Sequence, residues 1–303
     1  MHFDQLRRMA LFAQVVRYGS FSAASRALDL ATSVLSAAVS QLENELGVRL
    51  LHRTTRRLSL TEVGQDYYQQ CLAMMAAAET AQDLIAESSG EIAGRLRISA
   101  SSDVAENILL PALHPLTKAH PKLLLDIQVA DNIVDMASQQ IDLSIRSGWM
   151  RDSSLVARKL SDLHEVLVAS PAYLKKSGMP QTPEDLNRYQ IIAMTRLSDP
   201  TILSLKNAEG VTVKVSLAPS AMTDSVRLLT HMAAEGMGLA RLPSYAVSND
   251  LRSGRLVAVL EDWQLPGAGI FAVTLKRGLQ PQKVRAAIEA LTQFLNMGQA
   301  IHD

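Results

Sequence analysis

Residues 20–64 read SFSAASRALDLATSVLSAAVSQLENELGVRLLHRTTRRLSLTEVG. Gly19 stops a preceding helix, and Ser20 is placed to cap the next one. Residues 21–28 predict a short helix with Ala24, Ala27 and Leu28 facing inward, where small alanines permit close helix crossing. Asp29–Ala31 form a tight turn. Thr32 or Ser33 opens a third helix to about Leu46, with Val34, Leu35, Val39, Leu42 and Leu46 on its inner face; Gly47 ends it. The outer face carries Ser33, Ser36, Ala37, Ser40, Gln41 and Asn44. Two helices joined by so short a turn, the second polar on its outside, predict a helix-turn-helix.

Working outward, VRLLHRTTRRLSL alternates apolar residues around a basic turn from His52 to Arg57, which predicts a small hairpin wing. Arg49, Arg53, Arg56 and Arg57 fall within nine residues, a positive tip suited to phosphates or the minor groove. Upstream, Leu6, Met9, Phe12, Val15 and Val16 share one face of a helix over 4–18. Downstream, Thr61-Glu62 begins a long helix to about Glu87. Cys71, Met74, Ala78, Ala81 and Ile85 repeat along it at heptad spacing. Such a seam pairs with a copy of itself or packs on its own chain. Cys71 on it reads as a small buried hydrophobe, and Ser88-Ser89-Gly90 as a hinge.

The 303 residues carry no net charge, but the charge is unevenly spread. Residues 1–60 hold eight arginines against four acids; the remainder holds 22 basic against 26 acidic residues. A basic head on an acidic body points to a polyanion partner for the head alone. A single cysteine excludes an intramolecular disulfide and suits a reducing compartment. No stretch approaches the ~18 apolar residues of a membrane span, and Asp4 with Arg7, Arg8 and Arg17 breaks any signal-peptide core. The expected location is the cytoplasm, with no membrane partner.

From Gly94 the pattern changes to strands alternating with helices. Strands are predicted at 95–100, 123–129 and 142–145, with helices at 105–118 and 132–140. A second series has strands at 164–169, 190–194, 211–215 and 238–241, with helices at 171–176, 183–188, 223–235 and 243–250. A strand at 268–275 and a helix at 281–297 close the chain, the helix with Val284, Ala287, Ile288, Leu291, Phe294 and Leu295 inward. The pattern indicates two α/β lobes with mostly parallel sheets. The chain crosses between them near 161–164 and returns near 265–268, which makes a hinged cleft.

These residues resemble the LysR-type transcriptional regulators along nearly the whole chain. In the head the resemblance rests on Phe12-x-x-Val15-Val16, Gly19-Ser20-Phe21-Ser22-x-Ala24-Ser25-x-x-Leu28, Ser36, Leu42-Glu43-x-x-Leu46-Gly47, Leu50-Leu51, Arg53-Thr54-Thr55-Arg56-Arg57 and Leu60-Thr61-x-x-Gly64. In the body it rests on Leu96-Arg97-Ile98-Ser99, Leu110-Pro111, His120-Pro121, Asp142-Leu143-x-Ile145-Arg146, Ser170-Pro171-Ala172-Tyr173-Leu174, Thr182-Pro183-x-Asp185-Leu186 and Glu235-Gly236-x-Gly238-Leu239. The resemblance implies an α/β protein with an all-α head: a winged helix-turn-helix over 1–60, a linker and dimerisation helix over 61–90, and an effector-binding domain over 91–303. That domain is similar to periplasmic solute-binding proteins, with one lobe of about 91–162 plus 267–303 and another of about 163–266. The implied partners are double-stranded promoter DNA, a small-molecule effector and further copies of the chain, as homodimer or homotetramer.

The chain departs from the family's usual pattern at Ala31-Thr32-Ser33, and at Ala37-Ala38 after Ser36, where the family often has Arg or Lys. The recognition helix therefore lacks a side chain for a bidentate guanine contact. Base reading is expected from Thr32, Ser33, Ser36, Ser40, Gln41 and thymine-methyl contact by Ala37. Phosphate contacts are expected from Arg53, Thr54, Arg56, Arg57 and Arg26. In open α/β lobes ligands sit beyond the carboxyl ends of strands. There lie Ser101-Ser102, Arg146-Ser147, Thr195-Arg196 and Thr223, the last expected to help cap a helix. Serines and helix-start N–H groups suit a small organic anion that Arg146, Arg196 or Arg241 can pair.

The seven histidines show no metal-ligand spacing, and no nucleophile elbow, Walker loop or dinucleotide fingerprint occurs. No metal, cofactor or enzyme activity is expected. A transport-type solute binder fits the two-lobed body but not the basic head or the absence of an export signal.

Overall fold

A computed structural model of the chain describes residues 3–53, 58–88, 91–132, 135–148, 156–197, 199–275 and 280–299. Contacts divide it into two units, Met1–Glu91 with Asp135–Ile141, and Ile92–Val134 with Asp142–Asp303.

The first unit contains α1 (Phe3–Arg17), α2 (Phe21–Leu28), α3 (Thr32–Leu46), β1 (Leu51–Arg53), β2 (Leu58–Leu60) and α4 (Glu62–Ser88). Ser20 Oγ accepts from Ala23 N at 3.1 Å and starts α2. Asp29 at φ 52° ends α2, and Gly47 at φ 67° ends α3. β1 and β2 pair antiparallel, Leu51 opposite Leu60. Phe12, Val15, Ala24, Leu35, Val39, Leu42 and Leu50 are fully buried in one cluster with Tyr68, Cys71 and Leu72 of α4. Phe12 meets Tyr68 edge-on at 6.4 Å, which fastens α1 to α4.

Two inward assignments and one seam position are corrected here. Ala27 is exposed, and Val34 is 43% exposed. On a helix turning about 100° per residue, Val34 lies a quarter-turn from Leu35 and outside the buried stripe. Cys71 has no place on a self-pairing seam, because its own chain already covers it completely. Burial pushes its thiol up to about 12, so no thiolate forms near neutrality. Further along α4, Met74 is half-buried while Ala78 and Ala81 are exposed; the side chain of Ile85 lies outside the described residues.

The second unit begins with β3 (Gly94–Ala100), α5 (Ser102–Val104) and α6 (Leu110–Ala119), the helices joined by a π-helical turn at Ala105–Leu109. Next come β4 (Leu123–Val129), β5 (Leu143–Gly148), β6 (Val156–Leu163), β7 (Glu165–Ala169), α7 (Pro171–Ser177), a 3-10 turn (Pro183–Arg188) and β8 (Ile191–Met194). β9 (Ile202–Lys206), β10 (Thr212–Ser216), β11 (Pro219–Thr223), α8 (Val226–Ala234), β12 (Leu239–Pro243) and α9 (Ser244–Ser253) follow. β13 (Val257–Val259), β14 (Ala268–Thr274) and α10 (Gln282–Gln299) complete it.

Two five-stranded sheets result, ordered β4-β3-β5-β14-β6 and β11-β8-β12-β7-β13, with β9-β10 a separate hairpin. Consecutive strands β6 and β7 belong to different sheets, so the chain crosses at His164; it returns between β13 and β14. The first sheet packs with α6 and α10 around Leu96, Ile98, Leu113, Leu143, Ile145 and Leu291. The second has apolar clusters around Leu167 and Leu239 on one side and Val168 and Leu229 on the other.

Each sheet is mixed rather than mostly parallel. β14 runs antiparallel to both β5 and β6, and β7 antiparallel to both β12 and β13. β6, β9, β11 and β13 are strands the sequence pattern did not indicate. The helix expected at 132–140 is a turn over 136–140. Asp135 Oδ1 accepts from Ala137 N and Ser138 N, and Gln140 takes φ 53°, which ends any helix there.

Gly64 shows how closely the head is packed. A Cβ on it would lie 2.0 Å from the carbonyl oxygen of Leu50. Gly64→Ala is predicted to destabilise the head by about 3 kcal/mol through overpacking, although alanine is the better helix former by about 1 kcal/mol. Urea unfolding followed by Tyr and helix signals of the head checks this; unchanged or raised stability refutes it.

Candidate nucleic-acid interface and effector cleft

On α3 the exposed residues are Thr32, Ser33, Val34, Ala37, Gln41, Asn44 and Glu45; Ser36 and Ser40 are half-buried. Ser40 Oγ donates to the Ser36 carbonyl at 2.8 Å, so its hydroxyl is turned back onto its own helix. Ala38 is inside, at 8% exposure. Arg26 is exposed on α2. Arg53 ends β1; its side chain, and Thr54, Arg56 and Arg57, lie outside the described residues.

Glu43 is a functional residue the sequence pattern left among the matches without a role. It lies on the buried side of α3, at 3% exposure. Its Oε1 accepts from Leu50 N at 2.9 Å and Leu51 N at 3.1 Å, and its Oε2 from Arg49 Nη1 at 3.0 Å. One of the four wing arginines is thereby committed to the protein itself. Thr61 adds the linker side of the joint: its Oγ1 donates to Arg49 O at 2.8 Å and accepts from Gly64 N at 2.9 Å. Only a buried acid following an apolar position would have signalled Glu43 in the sequence.

Burial by itself raises the Glu43 carboxyl. The two backbone N–H donors and Arg49 outweigh it, so the group ends below its ordinary value of 4.5. A depressed folded value stabilises the head above the unfolded value and loses that stabilisation as pH falls through the folded one. Head stability is therefore predicted to drop as pH is lowered below 4.5, with a shallower drop in Glu43→Gln. Glu43→Ala should cost about 2–4 kcal/mol at neutral pH by leaving two buried N–H groups unpartnered. Urea unfolding from pH 6 to pH 3 measures both; identical pH profiles for wild type and Glu43→Gln would contradict the assignment.

In the second unit, side chains expected to bind an effector fall into three groups. Arg146 at the end of β5 donates from Nη1 to Asn132 O at 3.2 Å. Arg196, just after β8 in the other sheet, donates from Nη1 to Asp131 O and has its Nη2 at 4.0 Å from Asp131 Oδ1. Both guanidiniums thus meet the loop after β4. Burial, and then the charge of Arg196, lowers the Arg146 value, as expected where two cations converge.

A second group joins the lobes through Tyr245 of α9. Its ring packs against the first lobe's core, and its hydroxyl donates to Asp103 Oδ2 at 2.7 Å. Ser147 also hydrogen-bonds this hydroxyl, and burial with the Asp103 charge raises the tyrosine well above 10.0. Among the described residues, Asp103 Oδ1 and the hydroxyls of Ser99 and Ser144 are buried without a hydrogen-bond partner. Ser101 is buried before α5 but makes no capping bond with its side chain, and Ser102 is half-buried. Tyr245 carried no motif and was missed.

The third group departs from expectation. Arg241 is not open to a ligand: its Nε donates to Glu165 Oε2 at 2.9 Å, within the second lobe's own sheet. Thr223 does not cap α8; Ser225 does, accepting from Leu228 N, while Thr223 Oγ1 accepts from Ser225 N at 3.2 Å. Thr195 is exposed, with its N–H donated to Thr223 O at 2.9 Å. Arg241, Met194 and Leu203 also line an apolar cavity of about 30 Å³ in this lobe, room for about one water. Among the described residues there is no cluster of metal-ligating side chains, and no helix long and apolar enough to cross a membrane.

Comparison with known proteins accounts for both parts. Residues 6–65 match the helix-turn-helix of the bacterial regulatory lysR family, and residues 89–296 match the LysR substrate binding domain. The transcriptional regulator PtxR of Pseudomonas aeruginosa is 35% identical over 96% of this chain and 93% of its own. The transcriptional activator AaeR of Escherichia coli is 31% identical over 99% of this chain and 97% of its own. Among solved structures, full-length AphB, a virulence activator of Vibrio cholerae, is 29% identical with a TM-score of 0.59, covering 97% of this chain and 99% of its own. CrgA of Neisseria meningitidis is 28% identical with a TM-score of 0.61, covering 95% and 98%. The chain belongs to the LysR family of bacterial transcriptional regulators.

Proposed function

We propose that this protein binds promoter DNA in the cytoplasm as a homo-oligomer and responds to a small organic anion seated between the lobes of its second unit. The convergence of Arg146 and Arg196 carries the effector reading. The two come from different lobes, and their partners are chiefly backbone carbonyls, which are weaker than a carboxylate. An anion bridging both would relieve their repulsion and favour one lobe arrangement over another. For oligomerisation, the support is α4 beyond Leu72, where Ala78 and Ala81 stay uncovered. Close helix approach needs such small residues.

A thermal-shift and calorimetry screen of the full chain against small mono- and dicarboxylates tests the effector site. The expected result is a stabilising carboxylate whose affinity falls about tenfold or more in Arg146→Met and in Arg196→Met. A carboxylate that binds both variants as tightly as wild type would place the site elsewhere.

For DNA, the phosphate contribution is assigned to the wing. Arg56→Ala and Arg57→Ala are expected to weaken binding across all sequences and to reduce the log–log salt slope by about 1 each. Fluorescence anisotropy at several salt concentrations reads this out. An unchanged slope in both variants would remove the wing from the interface.

A further inference from the structure

We propose that Val34 is a specificity-determining residue of the DNA-reading face, a reader of thymine methyl groups in the operator. The proposal rests on the DNA-binding reading above and names what α3 recognises. Val34 is the one large apolar side chain left exposed on α2 or α3. The head's core is complete without it: Leu35, Val39 and Leu42 fill the buried stripe, and Val34 takes no part in that cluster.

Its place is the first turn of α3, where its N–H donates to Ala31 O at 3.0 Å. The first turns of recognition helices are the parts that reach base edges. Ala37, one turn on, is exposed on the same side, and Ser33 and Gln41 flank the pair. The result is an apolar spot bordered by a hydroxyl and an amide. In the major groove the one apolar feature presented by any base pair is the thymine C5-methyl. Valine is also stiff about χ1, so little rotamer freedom is lost on contact. The side chains here that could instead pair with guanine are absent: α3 has no Arg or Lys.

The test uses the full chain. Wild-type protein selects its preferred duplex from a randomised pool, and each thymine of that duplex is then replaced in turn by uracil. Uracil removes the methyl and keeps the hydrogen-bonding edge. The expected result is a loss of about fourfold at one thymine per half-site, the factor one buried methylene is worth. Val34→Ala should show a comparable loss on the thymine duplex and no further loss on the uracil one. A flat uracil scan with wild type, or the same uracil loss in Val34→Ala, overturns the proposal. Failure of the pool to yield any enriched sequence overturns the DNA-binding reading and this proposal with it. Alanine is a better helix former than valine, so the variant should melt no lower than wild type. A lower melting point would return Val34 to a role in packing and also count against the proposal.

Discussion

The backbone of Leu50 ties three elements of the head together. Its N–H is held by the buried Glu43 carboxylate of the recognition helix at 2.9 Å, and its carbonyl accepts from Thr61 N at 3.0 Å. The same carbonyl occupies the space a side chain on residue 64 would need. Recognition helix, wing and linker helix therefore share one rigid joint. A charge buried for this purpose is costly unless fully hydrogen-bonded, and Glu43 has three donors to compensate it. The wing is set on α3 by this joint and by Leu51, Leu58 and Leu60, which pack in the head's core, while its own β1-β2 ladder is only three residues a side.

The second unit is built on the opposite principle. Each lobe has its own apolar core, and polar contacts join the lobes beside the Tyr245 ring, which packs on the first lobe's core. Tyr245 anchors on Asp103, Arg196 on Asp131, and Arg227 on Glu106 at the exposed rim. Such contacts are individually worth little where solvent reaches them. A ligand with a few kcal/mol of preference for one arrangement is enough to shift the balance. A head with one shared core and a body with separate lobe cores is the contrast between the two units.

Legibility in the sequence followed the same division. α1 to α3 and α10 were readable because each buries a stripe at helical period against one core, although α3 starts at Ala31 with no side-chain cap. β6, β9, β11 and β13 were not. All four lie at sheet edges or in the hairpin outside the main sheets; β6 is largely exposed, β13 has only three residues, and β9 and β11 alternate over just five residues each, too short a run to stand out. The π-turn at Ala105–Leu109 continues directly into α6, so the helix expected from 105 is interrupted by a widened turn that the apolar spacing does not mark. Arg196 was legible as a residue beyond a strand end, whereas Arg146, read the same way, lies inside β5, which runs on to Gly148. That they share the Asp131–Asn132 loop depends on tertiary contacts no local pattern encodes. Arg241 looked equivalent to them, and only the neighbouring strand, carrying Glu165, shows that its charge is already used.

The corrected place of Cys71 changes how α4 serves the rest. Tyr68, Cys71 and Leu72 belong to the head's core, so the first three turns of α4 are part of the DNA-reading unit rather than free for a partner. Pairing through α4, as proposed, then begins no earlier than Met74. The lever between the joint at Leu50 and the pairing surface is short and helical, about 1.5 Å per residue. Under the proposed pairing through α4, such levers fix the reach of two heads along DNA. In that proposed pairing a recognition helix with no arginine or lysine gains selectivity from the spacing of two half-sites, which α4 sets.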